Sequence, residues 1–253
     1  MKNTFFKEKK KDSGFKKNII SLLYAIIAAL LIRSFLYEPF SIPSGSMYPN
    51  LKVGDYLFVS KFSYGFSKHS LPFSIPIIPG RLFSKEPIRG EIVVFKTPED
   101  NRTDYIKRVV GLPGDSLEMK DNVLIINDKE INVTKKNIEK YKSFNVSKNI
   151  ETLPNKLTYE VYEFEKAFEG LNTNNFSKIK IPLDYFFVLG DNRDNSQDSR
   201  FIGLIPRENL VGRAEVVMVS FDTNIGSFLK FWTWYPALRK ERIFVSLIPQ
   251  KKE

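Results

Sequence analysis

The 253-residue chain contains no cysteine and a single histidine, His69. The first absence excludes disulfides, thiol catalysis and cysteine-ligated metals. The second narrows imidazole chemistry to one loop, SKHSLPF, where a solvated or structural histidine is the ordinary reading and a Ser-His-Asp arrangement is the exceptional one. Helical periodicity is scarce after residue 37, and no solenoid-type repeat is present. Long apolar runs are lacking too, with one exception, IISLLYAIIAALLI at residues 19–32.

That run is shorter than the roughly 20 residues a spanning helix needs, but Ser34-Phe35-Leu36-Tyr37 extends it past Arg33, whose long side chain can snorkel to the interface. A membrane anchor over residues 18–37 is expected. The alternatives are a buried core helix and a cleaved signal peptide. The small-x-small triplet Ser44-Gly45-Ser46 suits a cleavage site, yet it lies well beyond the apolar run, behind Pro39 and Pro43, so the anchor reads as uncleaved. The 39 Lys and Arg exceed the 29 Asp and Glu by ten. Such an excess suits an acidic partner, nucleic acid or anionic lipid, and position decides. Lys2, Lys7, Lys9, Lys10, Lys11, Lys16 and Lys17 all precede the apolar run, which favours the lipid bilayer and not nucleic acid. The same bias orients the N-terminus toward the cytoplasm and everything from Tyr37 onward to the outside.

The outer part is expected to be mainly β. Short β-branched and aromatic runs recur between turn signals: LFVS, IVVF, YIKRVV, VLIIND, YFFVLG and VVMVSF. From about Lys120 to Leu183 the chain turns rich in Lys, Asn and Glu. The organisation expected is a basic segment 1–17, the anchor 18–37, a β-rich catalytic domain of 38–119 and 184–253, and an inserted accessory lobe 120–183.

Three stretches are candidates for chemistry. The first is FSIPSGSMYPNLKVGD, residues 40–55, where Ser44 and Ser46 flank Gly45 between prolines. Pro, Gly and Ser are ordinary turn residues. A nucleophile here would need a base, and with one histidine the other option is a lysine. That lysine must be neutral part of the time, which requires lowering its pKa from about 10.4 toward about 7 or 8 by burial. The second stretch, DYIKRVVGLPGD, supplies a lysine with apolar neighbours. Strand alternation puts Tyr105, Lys107 and Val109 on one face and Ile106, Arg108 and Val110 on the other. Arginine does not deprotonate in proteins, so Lys107 is the candidate base, against the plain reading of an edge-strand lysine. The third stretch is GDNRDNSQDSRFIGLIP, residues 190–206. Its acids lack the glycine and closing glutamate of a calcium loop, so no metal is expected. A self-satisfied polar network, which could also hold a catalytic group, fits better.

Taken in order, the anchor, EPFSIPSGSMYPNL, GDYLFVSKFSYG, RGEIVVFKTP, DYIKRVVGLPGD and GDNRDNSQDSRFIGLIP resemble bacterial signal peptidase I, over residues 38–114 and 190–220. The resemblance implies the signal peptidase/LexA-like β core. It implies Ser46 as nucleophile and Lys107 as general base, with the Ser46 N–H and the Ser44 hydroxyl as oxyanion donors. Ser196 would hydrogen-bond the lysine amine, and Asp198 and Arg200 would pair in support. Phe40, Ile42, Tyr105 and Ile106 would line shallow pockets reading Ala-x-Ala, with no cofactor. The implied partners are preprotein signal peptides and the bilayer, beside the protein export machinery. The loop YGFSKHSLPFSIPIIPGRLF resembles Gram-negative members, which implies an inner membrane with the site in the periplasm. Asn50 stands where the family commonly has Thr, and Glu91 where it has Asp, which puts only local packing in doubt.

Residues 227–244, SFLKFWTWYPALRKERIF, hold both tryptophans and four cations. Either the aromatics meet the membrane interface or they complete the core as a hairpin. Two rivals to signal peptide removal remain: a self-cleaving LexA-type protein, disfavoured by the anchor, and a tethered binding module whose serine loop is only a turn.

Overall fold

The computed structural model describes residues 12–71, 74–165, 175–226 and 231–249. Helix α1 covers Asp12–Phe35. Its 21 residues from Phe15 to Phe35 are the only described helix long and apolar enough to cross a membrane. At 1.5 Å per residue they reach about 31 Å, the thickness of a bilayer's hydrocarbon layer. Leu22, Leu23, Tyr24 and Leu31 on its several sides are all exposed, so α1 is not the buried core helix of a soluble fold.

The strands follow as β1 (Tyr37–Ser41), β2 (Asp55–Ser60), β3 (Phe66–Ser67), β4 (Arg81–Leu82), β5 (Ile92–Lys96) and β6 (Asp104–Gly111). Next come β7 (Ser116–Lys120), β8 (Val123–Ile126), β9 (Lys129–Glu130), β10 (Asn132–Tyr141), β11 (Phe144–Thr152) and β12 (Thr158–Phe164). The last five are β13 (Phe176–Lys180), β14 (Tyr185–Leu189), β15 (Ile205–Pro206), β16 (Leu210–Ser220) and β17 (Val245–Ser246). Beyond α1 the described α-helices are the single turns α2 (Ser199–Ile202) and α3 (Trp234–Ala237).

The main sheet runs β1-β2-β16-β5-β6-β14-β15, with β17 beside β16. Strand β5 lies inside it and is apolar on both faces. Ile92 and Val94 face one core with Ile42, Met47, Leu57 and Val59, while Val93 and Phe95 face another with Val109, Phe186 and Val188. An unbroken IVVF run is what burial on both faces demands of a strand. Strand β16 pairs with β2 and with β5 and carries register shifts against each.

Three smaller sheets complete the fold: β10-β11-β12, β13-β7-β8-β9 and β3-β4. Strands β10–β13 carry no long apolar run; β10 and β11 bury scattered residues such as Tyr141 and Val146 among polar ones, β12 buries Tyr159, Val161, Tyr162 and Phe164, and β13 buries none. Backbone bonds from Tyr162 N to Asp191 O (2.9 Å) and from Arg193 N to Tyr162 O (2.9 Å) tie β12 to the 190–198 loop.

The C-terminal aromatic stretch forms no hairpin over residues 231–244. It makes short helical turns and leaves Phe231, Trp232, Tyr235 and Phe244 exposed, with only Ala237 buried. Residues 227–230, Phe228 among them, lie outside the described residues.

Candidate active site

The serine loop leaves β1 at Ser41 and returns into β2 at Asp55. Ile42 N donates to Asp55 O (2.9 Å), Gly54 N donates to Ile42 O (3.1 Å), and Met47 and Leu51 anchor the loop in the core. Ser46 is thereby held at the edge of the sheet, 8 % exposed.

Strand β6 brings Lys107 to it. Lys107 lies opposite Val93 of β5, and its Nζ donates to Ser46 Oγ at 2.8 Å and to Ile106 O at 3.0 Å. The expected alternation holds. Tyr105 and Val109 pack in the core that contains Val93 and Phe95, and Ile106 packs in the one that contains Ile92 and Val94. Lys107 is 4 % exposed. Burial lowers its amine pKa from 10.5 to about 8, even though the Asp198 and Asp191 carboxylates oppose the shift. A buried amine poised near neutrality against a hydroxyl can accept that hydroxyl's proton.

Arg108 points to the other side of β6 and closes a bidentate ion pair with Asp191, Nε to Oδ1 and Nη2 to Oδ2 both at 2.7 Å. Asn50 Nδ2 donates to Asp191 Oδ2 (2.8 Å) and to Glu160 O (2.7 Å). Glu91 receives Tyr64 Oη at 2.9 Å and Arg213 at 2.7 Å. Both departures from the family pattern are therefore absorbed locally, away from the hydroxyl–amine pair.

The other candidates fall into place unequally. The Ser44 hydroxyl is 3.5 Å from Ser46 Oγ, at the limit of a hydrogen bond, and the Ser46 N–H donates to no described group. Asp198 is fully buried, accepts from Gly190 N at 3.0 Å and pairs with Arg200 Nε at 2.8 Å. The expected bond from Ser196 to the lysine amine is not made, for Ser196 Oγ is buried without a hydrogen-bond partner. Phe40, Ile42 and Ile106 share one apolar cluster, and the Tyr105 ring lies 5.3 Å from Lys107 Nζ. Among the described residues no group of three or more His, Asp or Glu side chains is placed to hold a metal. His69 bonds Ser74 through Nδ1 at 3.1 Å and does not touch Ser46.

Several residues that organise the site were not singled out by sequence. Asn192 clasps the serine loop, donating from N to Ser46 O (3.0 Å) and from Nδ2 to Gly45 O (3.0 Å). Gly190 sits so close that a Cβ there would lie 2.1 Å from Ser196 Oγ and 2.7 Å from Ser46 O. A Cβ on Gly45 would lie 1.9 Å from the hydroxyl of Tyr141, the last residue of β10. Asn195 Nδ2 donates to that same hydroxyl at 3.3 Å. Beneath this, Arg193 and Glu151 form a fully buried ion pair. The GDN triplet is a signal that could have pointed to Asn192 and Gly190; nothing in the sequence around Tyr141 or Glu151 could have pointed to them.

A β-rich domain on one membrane-length helix, with a hydroxyl and a buried amine in contact, defines an anchored hydrolase. Residues 15–219 match the family described as signal peptidase, peptidase S26. Signal peptidase I of Rickettsia typhi is 39% identical over 94% of this chain and 96% of its own length. That of Rickettsia felis is 40% identical over 90% and 91%. A solved signal peptidase I from Enterococcus faecalis is 26% identical over 51% of this chain and 97% of its own, at a TM-score of 0.32, too loose an overlap to argue from. The chain belongs to the signal peptidase I family of serine peptidases.

Proposed function

We propose that the protein removes N-terminal signal peptides from exported preproteins, with Ser46 as nucleophile and Lys107 as general base. The observation that carries this reading is the 2.8 Å contact between Lys107 Nζ and Ser46 Oγ with the amine buried. In the neutral form of the amine, the direction of that bond reverses. Ser46 gives its proton to Lys107 while Oγ attacks the scissile carbonyl, and the amine then passes the proton to the leaving nitrogen. Water, deprotonated by the same lysine, frees the acyl group and regenerates the serine.

The developing oxyanion is received by the Ser46 N–H and the Ser44 hydroxyl, whose loop is stiffened by Pro43 and Pro49 and clasped by Asn192. Asp198 and Arg200 brace the 190–198 loop, and Ser196, whose Oγ makes no hydrogen bond here, would orient the amine only after its hydroxyl turns toward Lys107. Shallow pockets bounded by Phe40, Ile42, Tyr105 and Ile106 admit small side chains, hence Ala-x-Ala sites. Ser46 follows the helix end by about ten residues, which keeps it near the bilayer surface where a tethered preprotein presents its cut site. The exposed Phe231, Trp232, Tyr235 and Phe244 suit a second contact with the same interface. Residues 1–17 lie in the cytoplasm and the catalytic domain in the periplasm of an inner membrane, beside the export machinery. Residues 38–119 and 184–253 serve as the catalytic domain and 120–183 as an accessory lobe.

The test is cleavage of a detergent-solubilised Ala-x-Ala preprotein by wild type, Ser46→Ala and Lys107→Ala, with circular dichroism confirming the fold. Both variants are expected to be folded and inactive. Retained cleavage in Lys107→Ala would remove the lysine from the mechanism, and in Ser46→Ala would reduce the serine loop to a turn.

A further inference from the structure

Two adjoining cavities of about 230 and 530 Å³ share His69, Ser74 and Lys96, and the smaller one opens at the C-terminal end of α1. They overlap the candidate active site only at Phe40. Their walls carry five cations, Arg33, Lys61, Lys68, Lys96 and Arg102, against three carboxylates, Glu38, Asp100 and Asp104. The carboxylates are already satisfied. Glu38 accepts from Arg33 and Lys61, Asp104 pairs with Lys96 at 2.8 Å, and Asp100 accepts from Thr97, Thr103 and the backbone N–H of Arg102 and Thr103. Lys68 and Arg102 make no ion pair among the described residues.

His69 sits at the junction of the two cavities, only 4 % exposed. Its Nδ1 is taken by Ser74, while Nε2 is buried with no hydrogen-bond partner. A buried nitrogen left so is costly, and a bound ligand is one way such a group is completed. Burial and the surrounding charges of Lys68, Lys96, Arg81 and Lys61 hold the ring neutral, with its pKa lowered to about 4. In the tautomer whose Nδ1 accepts from the Ser74 hydroxyl, Nε2 carries the ring proton as a free donor, and with the excess of cations around it this suits an oxyanion. Arg33 and Ser34, from the last turn of the apolar helix, line the smaller cavity. The end of a membrane-length helix lies at headgroup depth, where phosphate is the abundant oxyanion.

We propose that the larger cavity, which adjoins the helix end through the smaller one, binds a phosphate group, with His69, Lys96, Lys68 and Arg102 as its donors. A phospholipid headgroup and free inorganic phosphate share that chemistry. The lipid source rests on α1 crossing a bilayer, whereas the phosphate chemistry does not.

Because the chain has one histidine, its two ring carbon–proton resonances, from Cδ2 and Cε1, are unique and report on the site directly. The full chain in micelles of an uncharged detergent is titrated with inorganic phosphate, with short-chain phosphatidylglycerol, and with chloride at matched ionic strength. A saturable shift of the His69 signal with phosphate or lipid but not with chloride is expected. In the double variant Lys68→Gln/Arg102→Gln the apparent affinity should weaken about tenfold or more, the loss of one to two charge-assisted bonds, with preprotein cleavage unchanged. Response to the lipid assigns the site to a headgroup, and response to inorganic phosphate alone assigns it to the soluble ion. A signal unmoved by both, or a shift that the double variant leaves intact, overturns the site. Because cleavage is read alongside, that failure is distinguishable from a failure of the peptidase reading.

Discussion

Replacing Lys107 with Met should make the protein more stable at pH 7 while abolishing cleavage. Folding lowers the amine pKa from 10.5 to about 8, so carrying the proton in the folded state costs about 3 kcal/mol relative to the unfolded chain. Methionine fills nearly the same volume without that penalty. It forfeits the bonds to Ser46 Oγ and Ile106 O, worth about 1 kcal/mol each. The desolvation effect wins, and the net gain is about 1 kcal/mol, or a few degrees in Tm at roughly 2–4 °C per kcal/mol. The sign with pH follows from linkage. Between about 8 and 10.5 the unfolded chain holds a proton on Lys107 that the folded one has released, so wild-type stability rises relative to the variant across that window. Below about 8 the penalty is fully present, and above 10.5 it is gone. Thermal unfolding of both proteins in the same micelles, followed by circular dichroism from pH 7 to 11, measures the difference. A variant no more stable than wild type at pH 7, with a gap that does not change by pH 11, would refute the buried, destabilised amine.

With Lys107 as the proposed base, wild-type cleavage should rise as pH increases through about 8 and then level off, since only the neutral amine would accept a proton; a flat profile from pH 6 to 9 would contradict this. Gly190→Ala puts a methyl 2.7 Å from Ser46 O and should lower kcat about 100-fold with a smaller change in KM, as a displaced nucleophile does; steady-state kinetics on a peptide substrate decide. Gly45→Ala collides with the Tyr141 hydroxyl, and adding Tyr141→Ala should restore cleavage about tenfold, whereas strictly additive losses would show that the tyrosine does not press on the loop. Glu151→Gln strands the buried Arg193 charge and should cost about 3–5 kcal/mol in a denaturant titration.

Much of the site was legible in the sequence because its signals are local. Alternation along DYIKRVV separates Lys107 from Arg108 whatever the rest of the chain does, since successive strand residues face opposite ways. The IVVF run announced a strand, though not its burial on both faces, and the continuous apolar run around residues 19–32 announced a helix exposed to something other than water. The polar strands β10–β13 were not legible. Their few apolar residues are interspersed with Lys, Glu and Asn, several of which pair across neighbouring strands, and a pattern so diluted resembles a loop.

What the sequence by itself determined was therefore the inventory: a membrane-length helix, a stiff loop with two serines, a lysine in an apolar strand, and no cysteine or second histidine. Only the tertiary structure decided which of these meet. Ser46 and Lys107 are 61 residues apart, and their contact depends on the pairing of β5 with β6 and on Met47 and Leu51 sinking the serine loop into the core. Asn192, from the loop after β14, and Tyr141, from the separate β10-β11-β12 sheet, meet that loop, while His69 lines a cavity with Arg33 and Ser34 of the helix end, away from the serine. Contacts of this kind arise from packing between strands distant in sequence, and no local pattern encodes them.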